Sequence, residues 1–174
     1  MVNSRNTFIK QLYPGKPLVS VLQGFATTGF PSFAQLRALL YSNVCDGMMH
    51  QFYYSWTAGQ YNSLENQLEV SLYTRLLNWE MKQLLPDLFA ASQYLPVNVN
   101  APNVKSMAIP SGSGALLILV NQSETPVSGV SATVGGVSFS TSQAFFPGTS
   151  SGSVGGGIFS VDLPAYGVGI YRLQ

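Results

Sequence analysis

Charge is scarce in this chain. Only 9% of its 174 residues are Asp, Glu, Lys or Arg, against roughly 25% in an ordinary soluble protein. Eight basic residues nearly cancel seven acidic ones, leaving a formal net charge of +1. No basic stripe is offered to nucleic acid, and no polybasic cluster to an anionic membrane. Cys45 is the only cysteine, which excludes an internal disulfide and a cysteine-based zinc site. The longest purely apolar run, Ala115 to Val120, falls far short of the ~20 residues of a spanning helix. The N-terminal Met1-Val2-Asn3-Ser4-Arg5-Asn6 is polar and carries no signal-peptide hydrophobic region. Apolar residues, in contrast, make up 46% and aromatics 12%, so the chain can bury a core. Its length admits one ordinary domain or two small ones.

The two halves differ in character. Residues 1–95 hold six of the eight basic residues, five of the seven acidic ones and both tryptophans. Residues 101–174 hold only Lys105, Glu124, Asp162 and Arg172 as charges, together with 12 of the 17 glycines. The change falls at Tyr94 to Pro102, a stretch suited to an extended linker. The expected domains are therefore residues 1–95 and 96–174.

In the first half, Pro17 to Gln23 reads as a short strand covered on both faces, as in parallel sheets. Ser32 and Gln35 have capping-box spacing, with Leu36, Leu39, Leu40 and Val44 at helical spacing behind them. Gly47 ends that helix, and Met48 to Tyr54 reads as an aromatic-rich strand. After a loop from Ser55 to Tyr61, Asn62 and Glu65 form another cap pair. The long helix behind it is expected to gather Leu64, Leu68, Leu72 and Leu76 on one face, continuing through Leu77, Met81, Leu84 and Leu88. This βαβα order implies parallel strands joined by right-handed crossovers. Two strands alone neither close a sheet nor cover both helices. This half is therefore a piece of a larger barrel, or it needs a partner chain.

The second half reads as about six short strands, a spacing that suits an antiparallel sandwich. They are Val104–Ile109, Ala115–Asn121, Val127–Val134, Phe139–Phe145, Ile158–Leu163 and Val168–Leu173. Gly/Ser/Pro turns separate them, and no fixed repeat marks a solenoid.

This order of elements resembles the end of a retaining-type (β/α)8 glycoside hydrolase and its C-terminal β-sandwich. Gly15 to Phe25 resembles barrel strand seven, and Pro31 to Arg37 the start of the next helix. Gly47 to Trp56 resembles strand eight, and Leu84-Leu85-Pro86-Asp87-Leu88 the end of the last barrel helix. Ala115 to Asn121 resembles a sandwich strand that ends in Asn. Leu163 to Arg172 resembles the proline, Tyr-Gly and final-strand piece of such sandwiches. The fold class implied is α/β plus all-β: a partial (β/α)8 barrel, then an antiparallel β-sandwich. A complete barrel needs about 250 residues, so six strands and their helices are missing on this resemblance.

Such a hydrolase uses two carboxyl groups, about 5–5.5 Å apart for retention or about 6.5–9.5 Å for inversion. They stand at the C-terminal ends of barrel strands. None of the seven carboxylates is expected there. Asp46 precedes the second strand; Glu65, Glu69, Glu80 and Asp87 lie on the long helix; Glu124 and Asp162 belong to the sandwich. Where related barrels carry a nucleophilic Glu, this chain has Gln23. A neutral amide cannot attack an anomeric carbon. Gln23 is either a hydrogen-bonding partner for a sugar hydroxyl or a structural residue.

Trp56 offers a face for stacking on a pyranose ring, with Tyr54, Tyr53 or Tyr61 adding a hydroxyl; the alternative is packing between barrel and loops. By alternation Tyr54 and Trp56 share a face with Phe52 and His50. His50, the only histidine, reads as a core residue rather than a catalyst, and without a second His or a carboxylate cluster it supports no metal site. Cys45 reads as a small buried hydrophobe. The serines form no nucleophile elbow, and Gly152 to Gly157 contains no lysine for a phosphate loop.

The resemblance therefore implies a part of a glycoside hydrolase whose catalytic carboxylates lie outside this chain. Its candidate substrate-binding residues are Trp56, Tyr54, Gln23 and Tyr61. Its expected partners are carbohydrate and either a missing N-terminal barrel portion or an oligomeric partner, with no nucleic acid, no membrane span, no metal and no cofactor. The low charge and Ser/Gly-rich sandwich favour an extracytoplasmic setting. The alternative is a non-catalytic carbohydrate-binding or adhesin-like sandwich protein.

Overall fold

The computed structural model describes residues 19–23, 30–48, 50–54 and 68–174. Strand β1 (Val19–Gln23) and strand β2 (His50–Tyr54) pair in parallel, from Val19 opposite His50 to Gln23 opposite Tyr54. Helix α1 (Phe33–Cys45) connects them. It starts where the sequence predicts: Ser32 Oγ accepts the Gln35 N–H at 3.2 Å, and Gln35 Oε1 accepts the Ser32 N–H at 2.9 Å. Each satisfies a donor that the first helical turn leaves free. Gly47 closes the helix with φ 77°, a left-handed conformation that costs glycine little. Helix α2 (Leu68–Ala90) follows β2. The Asn62–Glu65 cap pair and the loop from Ser55 to Tyr61 lie outside the described residues.

The rest of the chain forms two four-stranded sheets. The first contains β4 (Val104–Ser111), β5 (Gly114–Asn121), β10 (Val168–Leu173) and β7 (Ser142–Ala144), in that spatial order. The second contains β3 (Val97–Val99), β6 (Val127–Val134), β9 (Ile158–Leu163) and β8 (Ser153–Gly155). Every pairing in both sheets is antiparallel.

Three sequence expectations need correction here. The stretch from Tyr94 to Pro102 is not a linker: Val97–Val99 is strand β3, paired with β6, and Leu95 bridges Ala108. The strand expected over Phe139–Phe145 contracts to Ser142–Ala144, and Ser153–Gly155 is a strand where a loop was expected. These are three-residue edge strands, too short to show an alternating pattern.

Two loops at one end of the sandwich are tied by Asn121. Its Nδ2 donates to the carbonyls of Thr125 and Pro164, both at 2.8 Å, and its Oδ1 accepts the Ser123 N–H at 2.9 Å. The residue is fully buried, so those polar atoms need these partners. The strand ending in Asn and the proline/Tyr-Gly piece are thus parts of one corner, where Tyr166 holds φ 53°.

All eight residues of β5 are buried. Leu116, Ile118 and Val120 pack against Leu36, Leu40, Leu77 and Leu84 of the helices. Ala115, Leu117 and Leu119 pack on the other side against Val130, Ala132, Phe159 and Val161 of the second sheet. The described structure therefore has three layers: helices, first sheet, second sheet.

Three ion pairs bind these layers laterally. Arg37 Nε donates to Glu80 Oε2 at 2.8 Å, and Arg37 Nη1 donates to the Val168 carbonyl at 2.9 Å. Tyr41 Oη donates to the same Glu80 carboxylate at 2.9 Å. Lys105 Nζ pairs with Asp46 at 2.6 Å, joining β4 to the end of α1. Arg172 Nη2 pairs with Asp87 at 2.9 Å, joining β10 to α2, and Ser111 Oγ donates to the other Asp87 oxygen.

Only the second part of the expected α2 face, Leu77, Met81, Leu84 and Leu88, meets this core. Val70, Leu77, Met81, Leu84 and Leu88 are buried, whereas Leu68, Leu72 and Leu76 stand 74%, 52% and 44% exposed. Leucines repeat on two sides of this helix, and periodicity alone does not say which side the core takes.

Cys45 packs partly buried against the helix core, and burial pushes its thiol above its ordinary value to about 12 against the opposing pull of Lys105. The folded state then holds the thiol proton more tightly than the unfolded chain, whose cysteine titrates at about 8.5. Its stability contribution is complete below that pH and declines as pH rises toward 12. We expect iodoacetamide at pH 8.5 to leave native Cys45 largely unmodified and to alkylate it in denaturant; equal labelling rates in both states would contradict that burial.

Glu80→Ala leaves Arg37 in the interface without its carboxylate, and we expect it to cost about 3–5 kcal/mol in urea unfolding. A loss below about 1 kcal/mol, as at an exposed pair, would show that the network does not hold the helices together.

Candidate functional site

Parallel pairing sets the geometry of the candidate site. Gln23 and Tyr54 are the last residues of β1 and β2 and stand opposite each other in register. They therefore share the end of the strand pair from which the chain leaves toward α1 and α2. Strand alternation puts position 54 on the same face as Phe52, which is 62% exposed. Leu22, one position before Gln23, is 1% exposed and belongs to the core against the helices. The backbone thus brings two of the four candidate positions together at one strand end. The side chains of Gln23, Tyr54 and His50 lie outside the described part, as do residues Trp56 and Tyr61 altogether.

Each described carboxylate has a partner of its own. Glu80, Asp46 and Asp87 hold the ion pairs between layers. Glu69 accepts the Tyr73 hydroxyl on the outside of α2, which raises the tyrosine above its ordinary value. Glu124 accepts the Tyr166 hydroxyl at 3.1 Å. Asp162 accepts the Gly129 N–H at 2.7 Å, next to a register shift in β6. Glu65 lies outside the described residues. Among the described residues no three of His, Cys, Asp and Glu come together as metal ligands.

The carboxylates are legible in the sequence, but their partners are not. Arg37, Lys105 and Arg172 carry the charge pairing, and Tyr41 completes it. A signal was present: with only four charges among residues 101–174, a cation placed within a strand of that half invites a partner.

No family model matches this sequence, and no curated protein matches it. Solved structures do resemble its fold. A GH30 endoxylanase from Clostridium papyrosolvens C71 aligns with a TM-score of 0.51 at 13% identity, over 97% of this chain and 45% of the enzyme's. A glycoside hydrolase family 30 subfamily 8 xylanase from Clostridium acetobutylicum gives 0.51 at 17%, over 90% and 42%. A noncanonic maltogenic α-amylase from Thermotoga neapolitana gives 0.53 at 11%, over 99% and 45%. The chain spans less than half the length of each. It has the α/β plus all-β fold of a C-terminal portion of glycoside hydrolases, two parallel βα units followed by an antiparallel sandwich.

Proposed function

We propose that this chain is the non-catalytic share of a sugar-cleaving barrel. Residues 1–95 act as the last part of the barrel wall and residues 96–174 as the sandwich that braces it from outside. Gln23 and Tyr54, with Trp56 and Tyr61 from the following loop, line a carbohydrate site. The catalytic carboxylates come from polypeptide outside residues 1–174. The observation that supports this reading is the carboxylate census: every described Asp and Glu already has a partner of its own, while the parallel strands end on Gln23 and Tyr54. An amide and a phenol at a strand end can hydrogen-bond sugar hydroxyls, but they do not supply the pair of carboxyl groups that most glycoside hydrolases use.

The substrates named for the matched solved enzymes guide the choice of ligands. We expect purified chain to release no reducing sugar from xylan or starch, and xylo- or malto-oligosaccharides to perturb the NMR signals of Gln23 and Tyr54. Turnover that disappears in Gln23→Ala would overturn the non-catalytic reading. Perturbations confined to residues 96–174 would move the sugar site to the sandwich.

The free-standing sandwich module is disfavoured by a specific observation. Met107, Ile109, Leu116, Ile118, Val120 and Ile170 of the first sheet are buried only because the helices cover them. Residues 96–174 expressed alone would expose that face. We expect this segment to aggregate or bind a hydrophobic dye. A soluble segment with a sharp melting transition and retention on polysaccharide would favour the module instead.

A further inference from the structure

Asn121-Gln122-Ser123 is the one Asn-x-Ser/Thr triplet in the chain. With Gln in the middle it has the form that accepts an N-linked oligosaccharide, and such triplets ordinarily mark surface loops. Here the acceptor residue is fully buried, at the end of β5.

The folded corner leaves that amide no room for a substituent. A carboxamide nitrogen carries two hydrogens. Asn121 Nδ2 spends both, on the carbonyls of Thr125 and Pro164, each at 2.8 Å. Its backbone N–H donates to the Gly167 carbonyl at 2.8 Å, which seats β10 beside β5. The serine of the triplet is engaged as well: Ser123 Oγ accepts the Thr125 N–H at 3.1 Å and lies 2.8 Å from Thr125 Oγ1. A sugar on Nδ2 would replace one amide hydrogen, leave one of the two carbonyls without its donor, and force a ring into a closed corner.

The triplet is nevertheless complete before its folded partners exist. Pro164 follows Asn121 by 43 residues. At ordinary rates of synthesis the triplet waits about 2–9 s for that partner. During that interval nothing from β10 covers the amide.

We infer that Asn121 is a conditional N-glycosylation site. The growing or unfolded chain accepts the oligosaccharide, the folded corner excludes it, and a glycan in place keeps β10 from closing on β5. In the transfer, Asn121 Nδ2 loses a proton and bonds to C1 of an oligosaccharide carried on a lipid pyrophosphate. The lipid pyrophosphate departs with the electron pair of the broken C1–O bond. Folding and modification thus compete for one nitrogen.

The test translates the full chain, behind a cleavable secretory signal, with and without endoplasmic-reticulum microsomes. An endoglycosidase-sensitive mass shift, mapped to Asn121, reports the glycan; limited proteolysis of residues 96–174 reports the fold. We expect molecules with the glycan to be protease-sensitive and molecules without it to resist. Ser123→Ala should lose the shift, and in microsomes its resistant fraction should rise to the level that the parent reaches without them. Ser123→Thr, which keeps the hydroxyl, should restore both the shift and the sensitivity. A protease-resistant chain with a glycan on Asn121 would overturn the exclusion. Absence of the glycan from both the parent and Ser123→Thr would overturn the acceptor role. A Ser123→Ala chain no more resistant than the parent in microsomes would overturn the competition.

Discussion

Strand β5 is buried along its whole length, on both faces, and the rest of the described structure follows from that. An antiparallel sheet commonly keeps one face in water and alternates apolar with polar residues. Gly114–Asn121 has no such alternation: Ala115 to Val120 is uninterrupted aliphatic. Each large aliphatic so buried contributes about 1.5–3 kcal/mol relative to exposure. Removing either covering layer would forfeit that contribution from half the strand. The helices and the second sheet are therefore held to the same sheet by the same residues, counted on opposite faces. Gly114 marks how tight the arrangement is: a Cβ there would fall 1.8 Å from the Leu173 carbonyl oxygen, so β5 can start beside the end of β10 only with glycine.

Apolar burial is non-directional, so it does not by itself fix how the helices lie across the sheet. The ion pairs supply direction. Lys105 and Arg172 are the only cations of residues 101–174, and both reach across to carboxylates of the helical half. Arg37 does the reverse, donating from α1 to the carbonyl of Val168 in β10 while holding Glu80 of α2. Four further hydrogen bonds join the same elements: Gln122 Nε2 to Ser42 Oγ between two neutral groups, and, each with one charged partner, Lys105 Nζ to the Ser42 carbonyl, Ser111 Oγ to Asp87 and Tyr41 Oη to Glu80. The buried Arg37–Glu80 pair gains from low dielectric only because both partners find several donors or acceptors. The more exposed Arg172–Asp87 pair contributes mostly alignment, aided by the Arg172 guanidinium lying 4.9 Å from the Phe145 ring centre.

Much of this was legible in the sequence where local chemistry decides. The Ser32–Gln35 spacing located the start of α1, and Gly47 its end, because capping depends on residues within one turn. Parallel pairing of β1 and β2 followed from strand–helix–strand order. The five longer sandwich strands other than the contracted one were visible from their apolar content. Edge strands were not, since Val97–Val99, Ser142–Ala144 and Ser153–Gly155 owe their conformation to a neighbour's backbone rather than to their own side chains. The buried side of α2 was legible in its second part, Leu77 to Leu88, but not in its first, where Val70 and Thr74 compete with the row of Leu68, Leu72 and Leu76. Of the candidate site, Gln23 and Tyr54 were legible as strand-end positions, and their pairing is a backbone fact. The charge network was not, because it joins residues as far apart as Asp87 and Arg172.

The same two-sidedness appears in α2 as in β5, with a different outcome. In β5 both faces find a layer within the chain. In α2 one face does, through Leu77 and Leu84, while Leu68, Leu72 and Leu76 do not. A fold can leave a few leucines in water at little cost, since much of any protein surface is apolar. The sandwich side of the helices is closed in packing and in charge; on the strand side, among the described residues, β1 pairs with β2 and the Leu68, Leu72 and Leu76 row stands exposed. Gln23 and Tyr54 end that strand pair. On the proposed reading, a site there has one wall carried by the β5-centred core, and the two carboxylates that such a reaction needs come from outside residues 1–174.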